Sequence, residues 1–186
     1  MSYPEPRYHG DSGEDTGVLR AADHVPDLAN DQAGSSVHYL ATGALTGGDF
    51  GLYRWNMGPG PSGPSPHFHR TMTESFFVLD GTITLYDGSG WTDANAGDFL
   101  FVPAGGVHGF RNNSGEPASM LILFTPGGPR EAYFEGLHRI ATTGERPSEE
   151  EMAAFYLEHD NIWVDEQPVS AAKARAARAA TTPGAG

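Results

Sequence analysis

His67 and His69 stand with one residue between them, the spacing that puts two imidazoles on the same side of an extended chain. Glu74 follows five residues later, and His108 lies just past Gly105-Gly106, two residues before Phe110. Three imidazoles and a carboxylate suit one divalent transition metal ion, with nitrogen ligands at roughly 2.0–2.1 Å and room for water or substrate. Neutral imidazole takes Fe, Mn, Ni, Co, Cu or Zn; the lack of cysteine removes only the softest, thiolate-bound sites. Taken singly, each residue has an ordinary structural reading. A bare His-x-His reads as two imidazoles facing solvent, Glu74 as a charge at a strand edge, and His108 as a polar residue near a turn.

For the four to meet, the chain between them must bend. An odd offset puts Glu74 on the opposite face of an unbroken strand from His67 and His69, so a turn or bulge is expected over residues 70–73. His108 must share the inner face of its strand with Phe110. Strand-like runs cover 37–40, 50–57, 74–79, 82–86, 99–102, 107–111 and 118–125, separated by turn pairs such as Asp80-Gly81 and Gly97-Asp98. With 25 Gly and 14 Pro, the chain carries more punctuation than a helical bundle tolerates. The rhythm predicts an all-β sandwich or barrel over 36–128, preceded by a loosely structured arm over 1–35. Residues 74–79 are apolar on both sides, which predicts a strand covered on both faces.

After Pro129 the period changes, predicting a helical extension over 129–165. Its helices fall at 131–140 and 149–159, the second with Ser148 as N-cap and Glu149, Glu150 and Glu151 in its first turn. A tail over 166–186 reads as a frayed Ala-rich basic helix or disorder.

At 186 residues the chain is the size of one domain. Its net charge of −13 disfavours nucleic acid and anionic membranes as partners. No apolar run approaches the roughly 18 residues of a membrane span, and residues 1–6 do not look like a leader, so a cytoplasmic location is expected.

The run His67-x-His69-x4-Glu74-x6-Gly81 resembles the first motif of the cupin superfamily. Gly97-x5-Pro103-x-Gly105-x2-His108-x3-Asn112 resembles the second at every defined position. One departure is Pro61, where the family has a glycine, with Gly60 adjacent. The resemblance is strong over 58–112 and extends over 36–128. Within the superfamily the chain resembles small bacterial single-domain cupins similar to quercetin dioxygenases, to which the sequence over 124–136 adds. The resemblance implies a double-stranded β-helix, a jelly-roll-like barrel, with the metal inside on His67, His69, Glu74 and His108. It also favours a homodimer.

Parity suggests the rest of the pocket. Phe76 and Val78 share the face of Glu74, and Phe110 that of His108. Tyr53, Trp55 and Met57 form one face of their strand; Phe99 and Phe101 form one face of another. All eight also serve as barrel core. If the barrel holds a substrate, they describe a small apolar or aromatic one. Arg54 and Arg111 read as outward, and Trp91 and Trp163 as packing residues.

Three functions fit. The first is a metal-dependent dioxygenase acting on an aromatic or enol-type, flavonol-like molecule, with Glu74 as general base and dioxygen as co-substrate. The second is a non-oxidative isomerase or cyclase using the metal as Lewis acid. The third is a non-catalytic metal- or ligand-binding cupin.

Overall fold

Alternation of large apolar residues along short segments builds eleven strands in the computed structural model, which describes residues 3–164. In chain order they are β1 (Leu28–Asn30), β2 (Ser35–Ala41), β3 (Gly51–Met57), β4 (His67–Phe68), β5 (Thr73–Asp80) and β6 (Thr82–Tyr86). There follow β7 (Trp91–Asn95), β8 (Phe99–Val102), β9 (Gly109–Arg111), β10 (Ala118–Thr125), helices α1 (Arg130–Thr143) and α2 (Glu149–Glu158), and β11 (Ile162–Trp163). The tail expected over 166–186 lies outside the described residues.

A six-stranded antiparallel sheet runs β1-β2-β3-β10-β5-β8, and a three-stranded one runs β7-β6-β9. A two-stranded ribbon pairs β11 with β4. The arrangement is that of a double-stranded β-helix. Its core comprises Tyr53, Phe76, Val78, Met120, Ile122 and Phe124, each at most 1 % exposed. Burying a side chain of this size contributes roughly 1.5–3 kcal/mol.

Three elements depart from the sequence reading. β1 draws the end of the expected arm into the sheet by pairing Leu28 with Val37. β7 is a strand although four of its five residues are partly or fully exposed, because its backbone pairs with β6 throughout. β11 is fixed by β4, far away in sequence.

β5 is covered on one side only among the described residues. Phe76 and Val78 are buried, whereas Phe77 is 40 % and Leu79 36 % exposed. The register pairs Phe99 with Phe77 and Phe101 with Ser75, so both β8 phenylalanines join that outer face, 62 % and 56 % exposed.

α1 ends at Gly144 in the left-handed conformation, and α2 starts in a capping box. The Ser148 hydroxyl accepts from Glu151 N–H at 3.2 Å, while the Glu151 carboxylate accepts from Ser148 N–H at 2.7 Å. Phe134 of α1 packs edge-on against Tyr53 and Trp55, at 5.1 and 5.2 Å between ring centres. Tyr133 stacks on Phe155 of α2 at 5.5 Å. The extension thus covers the open mouth of the barrel.

Two positions explain the motif loops. Gly63 has φ +123°, and a Cβ there would lie 2.1 Å from the Phe110 carbonyl oxygen, so the close approach in the loop before His67 falls to this glycine. Asn112, fully buried, donates to the carbonyls of Gly58 and Glu116 and accepts from Ser114, tying two loops together. No helix among the described residues is long and apolar enough to cross a membrane.

Candidate metal centre

β4, the turn after it, β5 and the entry to β9 bring His67, His69, Glu74 and His108 together, all buried. One potential ligand atom from each lies within 4.8 Å of every other. His67 and His108 are held opposite one another by a reciprocal pair of backbone hydrogen bonds, at 2.8 and 2.9 Å. The bend expected over 70–73 is made at Arg70 and Thr71, where both N–H groups donate to the Asp160 carboxylate at 2.8–3.0 Å. This bend carries Glu74 onto the face of the histidines.

The tautomers follow from the partners. Nδ1 of His67 faces Ser65 O at 2.9 Å, Nδ1 of His69 faces Asp160 O at 2.6 Å, and Nδ1 of His108 faces Gly106 O at 2.9 Å. A carbonyl only accepts, so each Nδ1 carries the proton and donates, leaving Nε2 as the inward lone pair. His69 and His108 place Nε2 on the same Glu74 oxygen, at 2.9 and 2.7 Å. Lone pairs and a carboxylate repel unless positive charge lies between them, whether protons or a metal ion.

The electrostatics agree. Burial works to raise the Glu74 carboxyl, but the charge and hydrogen bonds of His108 and His69 outweigh it and hold the group below the usual carboxylate range. Burial opposes charging of His108, yet Glu74 prevails and its pKa rises. His67 is pushed down to about 3 by burial, with His108 adding to the effect. The donor set fits a divalent transition metal: three Nε2 lone pairs fixed by backbone acceptors, and one carboxylate kept ionised.

His67 and Glu74 line a cavity of about 710 Å³. Of the pocket residues expected from parity, Trp55, Met57 and Phe110 line it. Tyr53, Phe76 and Val78 do not; they are completely buried core. The Tyr53 hydroxyl donates to Glu131 at 2.5 Å under α1. Phe76 packs behind the ligands, its ring 5.8 Å from His108 and 5.6 Å from Phe110. Phe99 and Phe101 are not pocket residues: they point away from the barrel interior, because their register partners belong to the outer face of β5.

Sequence reasoning missed the lid. Arg130, Tyr133, Phe134, Asn161 and Trp163 also line the cavity. The Trp163 ring lies 5.1 Å from His67 and 5.0 Å from Tyr156, so it is a cavity wall as well as a packing residue. A basic residue just after Pro129 was the one available signal; nothing near Asn161 marks it in sequence.

The class follows from a double-stranded β-helix enclosing a three-histidine, one-glutamate cluster, and comparison with known proteins agrees. Residues 53–124 match the cupin domain family, so this part of the chain is a cupin domain. A 70-residue stretch is 37% identical to quercetin 2,3-dioxygenase of Bacillus subtilis (strain 168), covering 37% of this chain and 20% of that protein. The match thus spans about one fifth of that relative's length. An RmlC-like cupin from Shewanella frigidimarina shares the fold at TM-score 0.51 and 16% identity, covering 63% of this chain and 96% of that one. The predicted oxalate decarboxylase from Thermotoga maritima gives 0.50 and 21%, covering 59% and 99%.

Proposed function

We propose that this protein is a metal-dependent dioxygenase acting on an aromatic or enol-type small molecule with a flavonol-like hydroxyl. The carrying observation is that the metal-ligand cluster opens, through His67 and Glu74, onto a cavity walled by aromatic rings. The partial identity to a quercetin dioxygenase supports the choice of reaction. A bound divalent ion would act as a Lewis acid favouring the ionised form of the substrate hydroxyl and, if redox-active, would ease electron flow to dioxygen. Glu74, ionised in the resting site, takes up the hydroxyl proton once hydrogen bonding to that hydroxyl in the apolar cavity raises its pKa. Trp55, Phe110 and Trp163 offer faces to a planar ring and exclude water around it.

The test is to strip the protein of metal and reload it separately with Fe(II), Mn(II), Co(II), Ni(II), Cu(II) and Zn(II). Oxygen-electrode assays then screen phenolics and enolisable diketones. Substrate-dependent dioxygen uptake in a redox-active form, and none in the stripped protein, is the expected result. Product formed without dioxygen would point to an isomerase or cyclase, and binding without product to a ligand-binding cupin.

A homodimer closed through the exposed strip of Phe77, Leu79, Phe99 and Phe101 belongs to the same proposal. Sedimentation equilibrium of the wild type and of Phe99→Asp tests it.

A further inference from the structure

We propose that Arg130 and Asn161 form a second recognition point in this cavity, which binds a carboxylate carried by the aromatic ligand. The hydroxyl end of that ligand rests on the reading just given; the carboxylate end rests on the following observations.

Arg130 opens α1 and is only 4 % exposed. Its guanidinium has five N–H donors, yet its one hydrogen bond among the described residues runs from Nη1 to His159 O at 2.8 Å. Nε is buried without a partner, and no described carboxylate forms an ion pair with the group. The faces of the guanidinium are occupied: its central carbon lies 4.3 Å from the Tyr133 ring centre and 4.9 Å from that of Phe124. Of the donor edge, only Nη1 is engaged. Glu74 and Asp160 act on it only from a distance; a buried cation with no directly paired carboxylate is costly, and proteins keep buried charges where they pair with something.

Asn161 shows the same pattern. It is 2 % exposed, and neither Nδ2 nor Oδ1 has a hydrogen-bond partner. Its backbone N–H donates to Tyr156 O at 2.8 Å, so the residue is held in place while its amide stays uncommitted. Both residues line the same cavity as His67 and Glu74.

Charge balance points the same way. A divalent ion on the cluster is offset within it by Glu74 alone, and Arg130 adds another positive charge to walls that are otherwise mainly apolar. A ligand with two ionised oxygens, one hydroxyl at the cluster and one carboxylate at Arg130, leaves the closed site near neutral. The planar guanidinium edge suits a carboxylate, with Asn161 Nδ2 as a further donor. The aromatic walls require that the two anionic ends be joined by a ring rather than arrive as a small inorganic ion.

The test uses 6-hydroxy-2-naphthoate and its neutral parent, 2-naphthol, binding to the zinc-loaded full chain, followed by calorimetry and tryptophan fluorescence. The wild type should prefer the acid by roughly 10- to 100-fold, the worth of a charged hydrogen bond in a buried site. Arg130→Gln should erase that preference, the acid losing more affinity than 2-naphthol does. Arg130→Lys should restore part of it, and Asn161→Asp should weaken the acid selectively. Thermal melts establish that each variant folds; if Arg130→Gln does not, Asn161→Asp decides. No preference in the wild type, or an unchanged one in the deciding variant, overturns the proposal. Zinc is not redox-active, so this selectivity can stand while dioxygen uptake fails. It can equally fail while neutral phenols still drive uptake.

Discussion

The main-chain oxygen of Asp160 accepts a hydrogen bond from Nδ1 of His69 at 2.6 Å, across 91 positions of sequence. The same residue's carboxylate accepts from the N–H groups of Arg70 and Thr71 and from the Thr71 hydroxyl, at 2.7–3.0 Å. One residue beyond α2 therefore fixes both the tautomer of one histidine and the bend that delivers Glu74. Asp160 has φ 54°, a left-handed conformation that Asp and Asn tolerate better than most residues.

Asp160→Ala should lower stability by about 1–3 kcal/mol, through lost hydrogen bonds and backbone strain. It should also weaken metal binding by roughly 10- to 100-fold, the usual effect of losing an outer partner of a ligand. Asp160→Asn, which keeps the conformation, should do less of both. Thermal melts and metal titrations of the two variants check this; equal effects would mean that the carboxylate charge, which both variants lack, carries the whole contribution.

The Asp160 effect should depend on pH in one direction. Burial works to raise this carboxyl, but the hydrogen bonds from Thr71 and Arg70 outweigh it and hold it below its ordinary value. A depressed folded-state pKa means the stabilisation is complete above the unfolded value, about 4, and is lost as pH falls through the folded value. The stability gap between wild type and Asp160→Asn should be flat above about pH 5 and close below about pH 4. Denaturant melts across this range measure it, and a gap that widens on acidification would contradict the sign.

Removing metal ligands should lower metal content and thermal stability together. A metal that binds only the folded state contributes about 3–4 kcal/mol at 100–1,000 times its Kd. His67→Ala and His69→Ala should each lose part of this, and the double variant should hold no stoichiometric metal. Replacing His9, His24, His38, His138 or His159 should leave metal content unchanged. Elemental analysis of purified variants decides.

Glu74→Gln separates ligand from base. The three histidines remain, so much of the metal should stay, while a side chain that cannot take up the proton should cost roughly 10²–10⁴ in turnover. Wild-type turnover in this variant would make Glu74 a spectator.

The two faces of the β5–β8 pair should respond oppositely to truncation. Phe76→Ala, in the fully buried core, should cost about 3–5 kcal/mol. Phe99→Ser, on the outer face, should change the stability of a monomer by about 0.5 kcal/mol or less. Denaturation in urea compares them; similar losses would mean that Phe99 is buried in solution.

The sequence by itself carried the ligand cluster, because strand parity, two motif spacings and one obligatory bend are local properties of the chain. It also carried the strand rhythm and the cap of α2 at Ser148, which depend on neighbours within a few residues. Parity shows which residues share a face; it does not show which face turns inward. Only the pairing of Phe99 with Phe77 decided that Phe99 and Phe101 lie outside. The tertiary structure alone brought Arg130, Asn161 and Trp163 over the barrel mouth. Their positions follow from contacts such as Trp163 with His67, between segments that no periodicity connects. The candidate metal ligands were legible because His67 and His69 have strand spacing and all four fall in two short motifs, and the lid was not, because packing between distant segments leaves no period in sequence.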